Sequence, residues 1–352
     1  MRQSQTLTKQ QTSQHARTGL SPSFSDTHFP RREFLRFVSL AAAGAAVSPL
    51  HAAPGQKTKP LKGIFPIVQT PYTDAGKVDF ATLEKEVKFA DRAKVHGIVW
   101  PQLASQYFLL SFDERIAGAE AIVGVGKALK PAIVIGVQAS DTATAVKYAE
   151  HADKLKPDAI VALPTSRSGD LDLNEAKKYY AAIADACGLP FFVQTTGNMS
   201  VEFVMQMARE IPTLRFIKDE AGHTLSRITE FREKAGDLGL SLFTGGHGKT
   251  LIDEMMRGSG GCMPAVGWVD LYVKVWDAWH AGKKDEALDL FSKVMLFVTQ
   301  AQAYGVPGLH YVLHLRGVFP NWKVRGEHRE LDDYAKKSLK QTLEFVKPHL
   351  VA

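Results

Sequence analysis

Short apolar runs alternate along the chain with longer stretches whose apolar residues recur at helical spacing. The runs are Gly63–Thr70, Gly97–Ala104, Ala132–Gln138, Ala159–Pro164, Pro190–Gln194, Leu214–Lys218, Leu240–Thr244 and Gly261–Ala265. Between them lie helical patterns at Asp79–Lys94, Phe112–Ala128, Asp141–Leu155, Asn174–Ala186, Ser200–Glu210, Thr224–Ala235 and Gly248–Met256. Asp79, Asp141 and Ser200 mark three of the helix starts with side chains that cap orphan amides. The runs are apolar at nearly every position, not at every second one. That pattern predicts strands buried on both faces, and hence a parallel sheet. Eight strand–helix units in roughly 230 residues predict an α/β fold of the (β/α)8 barrel type. A doubly wound open sheet would need a glycine-rich turn after its first strand, and Gln69-Thr70-Pro71-Tyr72 is not one. Beyond the eighth run, Asp277–Tyr304 and Leu331–Val346 read as helices. The expected layout is an N-terminal signal region over residues 1–53, a linker over 54–60, a barrel over 61–276 and a C-terminal helical extension over 277–352.

The N-terminal region has a different pattern. Residues 1–28 are rich in Ser, Thr and Gln and carry no apolar periodicity. Pro30-Arg31-Arg32-Glu33-Phe34-Leu35-Arg36 then precedes the apolar run Phe37 to Val47 and the small residues Ala52-Ala53. A charged segment, an apolar segment and a cleavage zone in this order predict an export signal, and the paired arginines followed by Phe-Leu resemble the twin-arginine type. The apolar run is shorter than the roughly 20 residues a membrane span needs. The long stretch ahead of the arginines points to a start downstream of Met1. The expected location is therefore the periplasm or the cell exterior, with no membrane contact after cleavage.

This signal changes the charge reading. Residues 1–53 hold six basic and two acidic residues, which is +4 of the chain's +6. The mature protein is then near neutral and shows no basic cluster of the kind nucleic-acid binding requires. Cys187 and Cys262 sit among small or apolar residues and read as buried thiols, too few for a disulfide framework. No spacing of Cys, His and Asp suggests a metal site, and no cofactor is expected.

In a barrel of this type the chemistry lies at the C-terminal ends of the strands. Lys218 ends the run Leu214-Arg215-Phe216-Ile217-Lys218. Desolvation of a lysine among apolar neighbours lowers its pKa and frees the amine to attack a carbonyl. A rim lysine paired with Asp219 or Glu220 is the other reading of the same residues. Asp219 and Glu220 are themselves candidate acid/base groups or rim ion pairs, with nothing in the pattern to decide.

Ile217-Lys218-Asp219-Glu220-Ala221-Gly222 resembles the Schiff-base lysine motif of the dihydrodipicolinate synthase / N-acetylneuraminate lyase superfamily. Gly63 through Thr70-Pro71, Gly97–Ser111 with Phe112-Asp113-Glu114-Arg115, and the Gly-Gly pairs at 245–246 and 260–261 resemble the family's strands one, two, seven and eight. The resemblance implies an imine between Lys218 and a small 2-keto acid, and a homo-oligomer, a dimer or tetramer. Three departures stand out. The family's Gly-Thr-Thr-Gly-Glu is here Gln102-Leu103-Ala104-Ser105-Gln106, so the substrate carboxylate falls to Ser105, Gln106 or backbone amides. The proton-shuttling tyrosine that ends the family's fifth strand is here Gln194, which hydrogen-bonds but does not shuttle protons at neutral pH. The Tyr-Tyr after the fourth strand is replaced by Pro164-Thr165-Ser166-Arg167. Lys218 and Gln194 form the expected catalytic pair. Ser105, Gln106, Thr195, Gly245 and Met263 form the expected substrate-binding set.

The stretch Leu103 to Ser111, with Gln194 in place of the tyrosine, resembles branches that dehydrate 2-keto-3-deoxy sugar acids more than it resembles the lysine-biosynthetic enzymes. A pyruvate-dependent aldolase and a non-catalytic exported binding protein on the same barrel are the competing expectations. Gly245-Gly246-His247-Gly248-Lys249 reads as an anion-binding turn or as a plain tight turn.

Overall fold

The computed structural model describes residues 59–166 and 170–351; the expected signal lies outside them. Eight strands occur in the order expected: β1 (Gly63–Ile64), β2 (Gly97–Trp100), β3 (Ala132–Gly136), β4 (Ala159–Ala162), β5 (Phe191–Gln194), β6 (Leu214–Asp219), β7 (Ser241–Thr244) and β8 (Gly261–Cys262). They form one parallel sheet ordered β1-β8-β7-β6-β5-β4-β3-β2. Ile67, just past β1, bridges both Val99 of β2 and Ala265 after β8, and so closes the sheet into a barrel. β1 is far shorter than its apolar run because Pro66 cannot donate to a ladder.

The barrel helices are α1 (Phe80–Arg92), α2 (Phe112–Gly126), α3 (Thr142–Leu155), α4 (Leu173–Ala186), α5 (Val201–Glu210), α6 (Thr224–Lys234), α7 (Leu251–Met256) and α8 (Val269–His280). The expected caps are in place. Asp79, Asp141 and Ser200 accept from the amides of Thr82, Thr144 and Phe203 at 3.0, 2.8 and 3.1 Å. Each such cap stabilises its helix by about 1 kcal/mol.

The expected single helix Asp277–Tyr304 needs correction. It is two helices: α8 ends at His280, Gly282 turns the chain with φ +81°, and α9 runs from Lys284 to Leu315. α9 bends at Gly305, whose φ of +56° and ψ of −148° lie outside the helical region, with Pro307 two residues on. α10 (Asp333–Val346) packs on α9. The buried pair Asp270–Arg316, 2.8 Å apart, ties α8 to the end of α9. Among the described residues no helix is long and apolar enough to cross a membrane.

Strand side chains alternate between two cores. Phe65, Ile67, Val99, Val134, Val161, Phe192, Phe243 and Met263 point inward and fill the barrel. Ile98, Ile133, Ile135, Ile160, Val193, Ile217, Leu242 and Cys262 point outward and pack under the helices. Inside, Phe243 stands edge-on to Phe65 and to Phe192, each with centroids 5.1 Å apart, and Phe216 stacks on Phe192 at 4.5 Å. These rings form an apolar floor under the barrel mouth. Cys187 and Cys262 are both buried and unbridged.

Candidate active site

The same alternation selects what stands on that floor. Two residues past an inward side chain is another inward side chain, so Gln194 follows Phe192 and Lys218 follows Phe216. Lys218 pairs in register with Gln194 across β5 and β6. Lys218 is 2% exposed, and its Nζ donates to Gln194 Oε1 at 3.1 Å. Gln194 Nε2 in turn donates to Glu220 Oε2. Glu220 is the next inward position after Lys218, and its Oε1 lies 3.8 Å from Lys218 Nζ and 3.3 Å from the Gly246 amide. One amide thus bridges Lys218 near the end of β6 and Glu220 just past it.

A cavity of about 270 Å³ opens over Lys218. Its lining includes Leu103, Ala104, Glu220, His247 and Met263, together with Ala301, Gly305, Val306 and Leu309 of α9. His247 sits at φ +57° between two glycines of positive φ, and its carbonyl accepts from Tyr272 Oη. Its Nδ1 is buried without a hydrogen-bond partner among the described residues. Burial lowers the His247 pKa most, Glu220 opposes the shift, and Lys218 adds to it. The imidazole is therefore neutral at pH 7.

The outward positions serve the frame instead. Thr195 Oγ1 donates to Asp219 Oδ1 at 2.6 Å and accepts from the amides of Glu220 and Ala221. Asp219, fully buried, is held by Arg227 through Nε and Nη2 at 2.8–3.1 Å. Of the two acids beside Lys218, Asp219 is thus the structural ion pair and Glu220 faces the cavity. Truncating one partner of such a pair leaves an uncompensated buried charge. Arg227→Met is expected to lower unfolding free energy by about 3–5 kcal/mol, read from the shift of a urea unfolding curve.

The expected substrate-binding set divides. Met263 lines the Lys218 cavity. Thr195 does not, for the reason just given. Ser105 and Gln106 do not line it either. Ser105 Oγ donates to the Val68 carbonyl at 2.6 Å and accepts from the Gln102 amide, which pins the β2 loop to the β1 loop. Gln106 turns at φ +54° and donates from Nε2 to the Arg325 carbonyl at 3.4 Å. Gly245 lines an adjoining polar cavity with Glu220, Lys249 and Glu254. Its role is to leave room: a Cβ built there would lie 1.6 Å from Glu220 Oε1. Gly245→Ala is expected to push the Glu220 carboxylate off Gln194 and lower kcat by about 10²-fold, the cost of a misplacement of about 1 Å. Steady-state kinetics beside an unchanged circular dichroism spectrum check it.

From the sequence, Glu220 was a candidate acid/base group or rim ion pair left undecided, and His247 and α9 fell outside the expected catalytic and substrate-binding set. The parity of Glu220 decides between its two readings, because it lies two residues past Lys218 and faces the same way. His247 and α9 gave no such signal. A larger cavity of about 470 Å³ lies away from Lys218, lined by Tyr72, Trp322 and Arg325 among others. Its Lys323 and Arg325 are paired with Asp74 and Glu114 at 3.0 and 2.8 Å, so it offers no comparable nucleophile.

Known proteins are similar to this chain in sequence and in fold. L-2-keto-3-deoxyarabonate dehydratase of Azospirillum brasilense is 28% identical over 232 residues, covering 64% of this chain and 75% of that protein. 4-Hydroxy-tetrahydrodipicolinate synthase of Rhizobium meliloti is 28% identical over 270 residues, covering 73% and 88%. The crystal structure of dihydrodipicolinate synthase from Rhodopseudomonas palustris superposes with a TM-score of 0.75 at 24% identity, over 82% of this chain and 99% of that one. The model of the dihydrodipicolinate synthetase family matches residues 60–346. A match over the whole barrel and the helices after it, with the buried lysine on β6, means that the chain belongs to the dihydrodipicolinate synthetase family.

Proposed function

We propose that this Schiff-base lyase dehydrates 2-keto-3-deoxy acids that carry a hydroxyl at C4. The observation that carries the reading is the Lys218–Gln194–Glu220 chain, in which a carboxylate takes the place next to the amine. The Lys218 amine attacks the C2 carbonyl and water leaves, giving a protonated imine. The imine draws electrons from C3, and Glu220 accepts the C3 proton as the C–H pair becomes the enamine double bond. The enamine pair then moves to form the C3–C4 double bond as the C4–O bond breaks. The departing hydroxyl takes the proton from Glu220 and leaves as water. Hydrolysis of the conjugated imine restores Lys218. Gln194 holds amine and carboxylate in register without itself exchanging a proton.

The substrate carboxylate falls to the backbone. Ser105 and Gln106 are committed elsewhere. Leu103 and Ala104 open a 3-10 turn, so their amides have no acceptor within it. The relative named L-2-keto-3-deoxyarabonate dehydratase supports the dehydratase branch. The reading also includes export by the twin-arginine route and assembly as a homo-oligomer, supported by Arg31-Arg32-Glu33-Phe34-Leu35 and by the family resemblance.

Product analysis tests it. A 4-hydroxy-2-keto acid incubated with the protein should lose one water and release no pyruvate. Release of pyruvate with an aldehyde, detected with lactate dehydrogenase, would make the protein an aldolase.

A further inference from the structure

Among the described residues, two polar side chains besides Lys218 line its cavity. Glu220, His247 and the Gly246 backbone come from the ends of β6 and β7. The wall supplied by α9 is of another kind: Ala301, Val306 and Leu309, with Gly305 at the bend. Ala301 and Leu309 are 5% and 3% exposed, Val306 is half-buried and Gly305 exposed, and none of the four presents a polar side-chain atom to a group lying against it. The bend is built in, since the Gly305 backbone conformation is one that side-chain-bearing residues do not hold without strain.

We infer that the enzyme selects 2-keto-3-deoxy acids whose chain beyond the C4 hydroxyl ends in a methyl or short alkyl group, over acids that carry further hydroxyls. The inference rests on the dehydratase reading, which fixes the head of the substrate. The carboxylate lies at Leu103 and Ala104, C2 is joined to Lys218, and the C4 hydroxyl faces Glu220 with His247 beside it. Substrate carbons beyond C4 meet α9. A hydroxyl placed against alkyl side chains gives up water and gains no partner. Alkyl pockets reject an added hydroxyl by about 10²-fold at most. The expected preference in kcat/KM is therefore about ten- to a hundredfold.

The test compares the purified full chain on 4-hydroxy-2-oxopentanoate, which ends in a methyl, and on 2-keto-3-deoxygluconate, which carries three hydroxyls. Both are assayed for water loss, for pyruvate release and for borohydride-trapped adduct. At least tenfold higher kcat/KM for the methyl-ended acid supports the inference, as does a narrower gap in Leu309→Gln. Equal or faster dehydration of the polyhydroxy acid overturns it and leaves the dehydratase reading standing. Pyruvate release, or no turnover and no adduct with either acid, overturns both.

Discussion

Lys218→Met is expected to lose at least about 10⁴-fold in kcat/KM and all borohydride-trapped adduct with 2-keto acids. Removal of a covalent nucleophile takes away the whole imine route, and what remains is binding and background reaction. The fold should survive the change. Lys218 rises from an apolar floor of Phe192, Phe216 and Phe243, where a methionine of similar length packs without a cavity. Glu220 keeps its contacts with Gln194 and Gly246, and its side chain is 26% exposed, so its charge remains partly solvated. Stability should therefore change by no more than about 1.5 kcal/mol. Intact mass after borohydride with pyruvate, followed by peptide mapping, reads the covalent step directly. A reduced adduct of the same yield in the methionine variant would show that another amine carries the imine and would end the present assignment. Persistent binding of 2-keto acids by the wild type with no adduct would instead favour a binding protein on the same barrel.

The barrel was legible because its physics is local. A strand buried on both faces must be apolar at each position, and eight such runs survive any error at their ends. The ends themselves were not legible. Gly63–Thr70 reads as one run, yet Pro66 interrupts the ladder, and the barrel closes through the Ile67 bridge and the backbone bonds from Val68 to Val99 and from Val99 to Pro66. α8 was missed for a related reason. Nine of its residues are buried, which leaves Val269–His280 only the narrow polar stripe of Lys274, Asp277 and His280 from which a helix could be recognised. The site divides along the same line. Lys218, Gln194 and Met263 follow from strand parity, which is local. Parity also places Thr195 and Asp219 outward, so their structural role could have been read in advance. The fates of Ser105 and Gln106 could not. They depend on the Val68 carbonyl and on Arg325, the latter 219 residues away along the chain. The α9 wall likewise reaches the mouth only through tertiary packing.

Glu220→Gln separates the two halves of the proposed reaction. The variant is expected to form the imine with pyruvate as the wild type does, because Lys218 keeps Gln194 as its hydrogen-bond partner. Its dehydration rate should fall by about 10²–10⁴-fold, the usual contribution of a positioned acid/base group. Glutamine is isosteric but keeps a single oxygen acceptor, so it can hold either the Gln194 Nε2 bond or the Gly246 amide bond; a loss of kcat with imine formation retained reports the missing proton acceptor and not a collapsed site. Proton transfer at C3 gives a second reading. In deuterium oxide the wild type should exchange the methyl protons of pyruvate, which has no leaving group, and Glu220→Gln should not. The alternative acceptor within the cavity is His247, which burial keeps neutral and which therefore could take a proton. If His247 were the base, His247→Gln would abolish the exchange and Glu220→Gln would spare it. The geometry favours Glu220, since it shares Gln194 with the amine that forms the imine, and the carbon losing its proton is the one next to that imine.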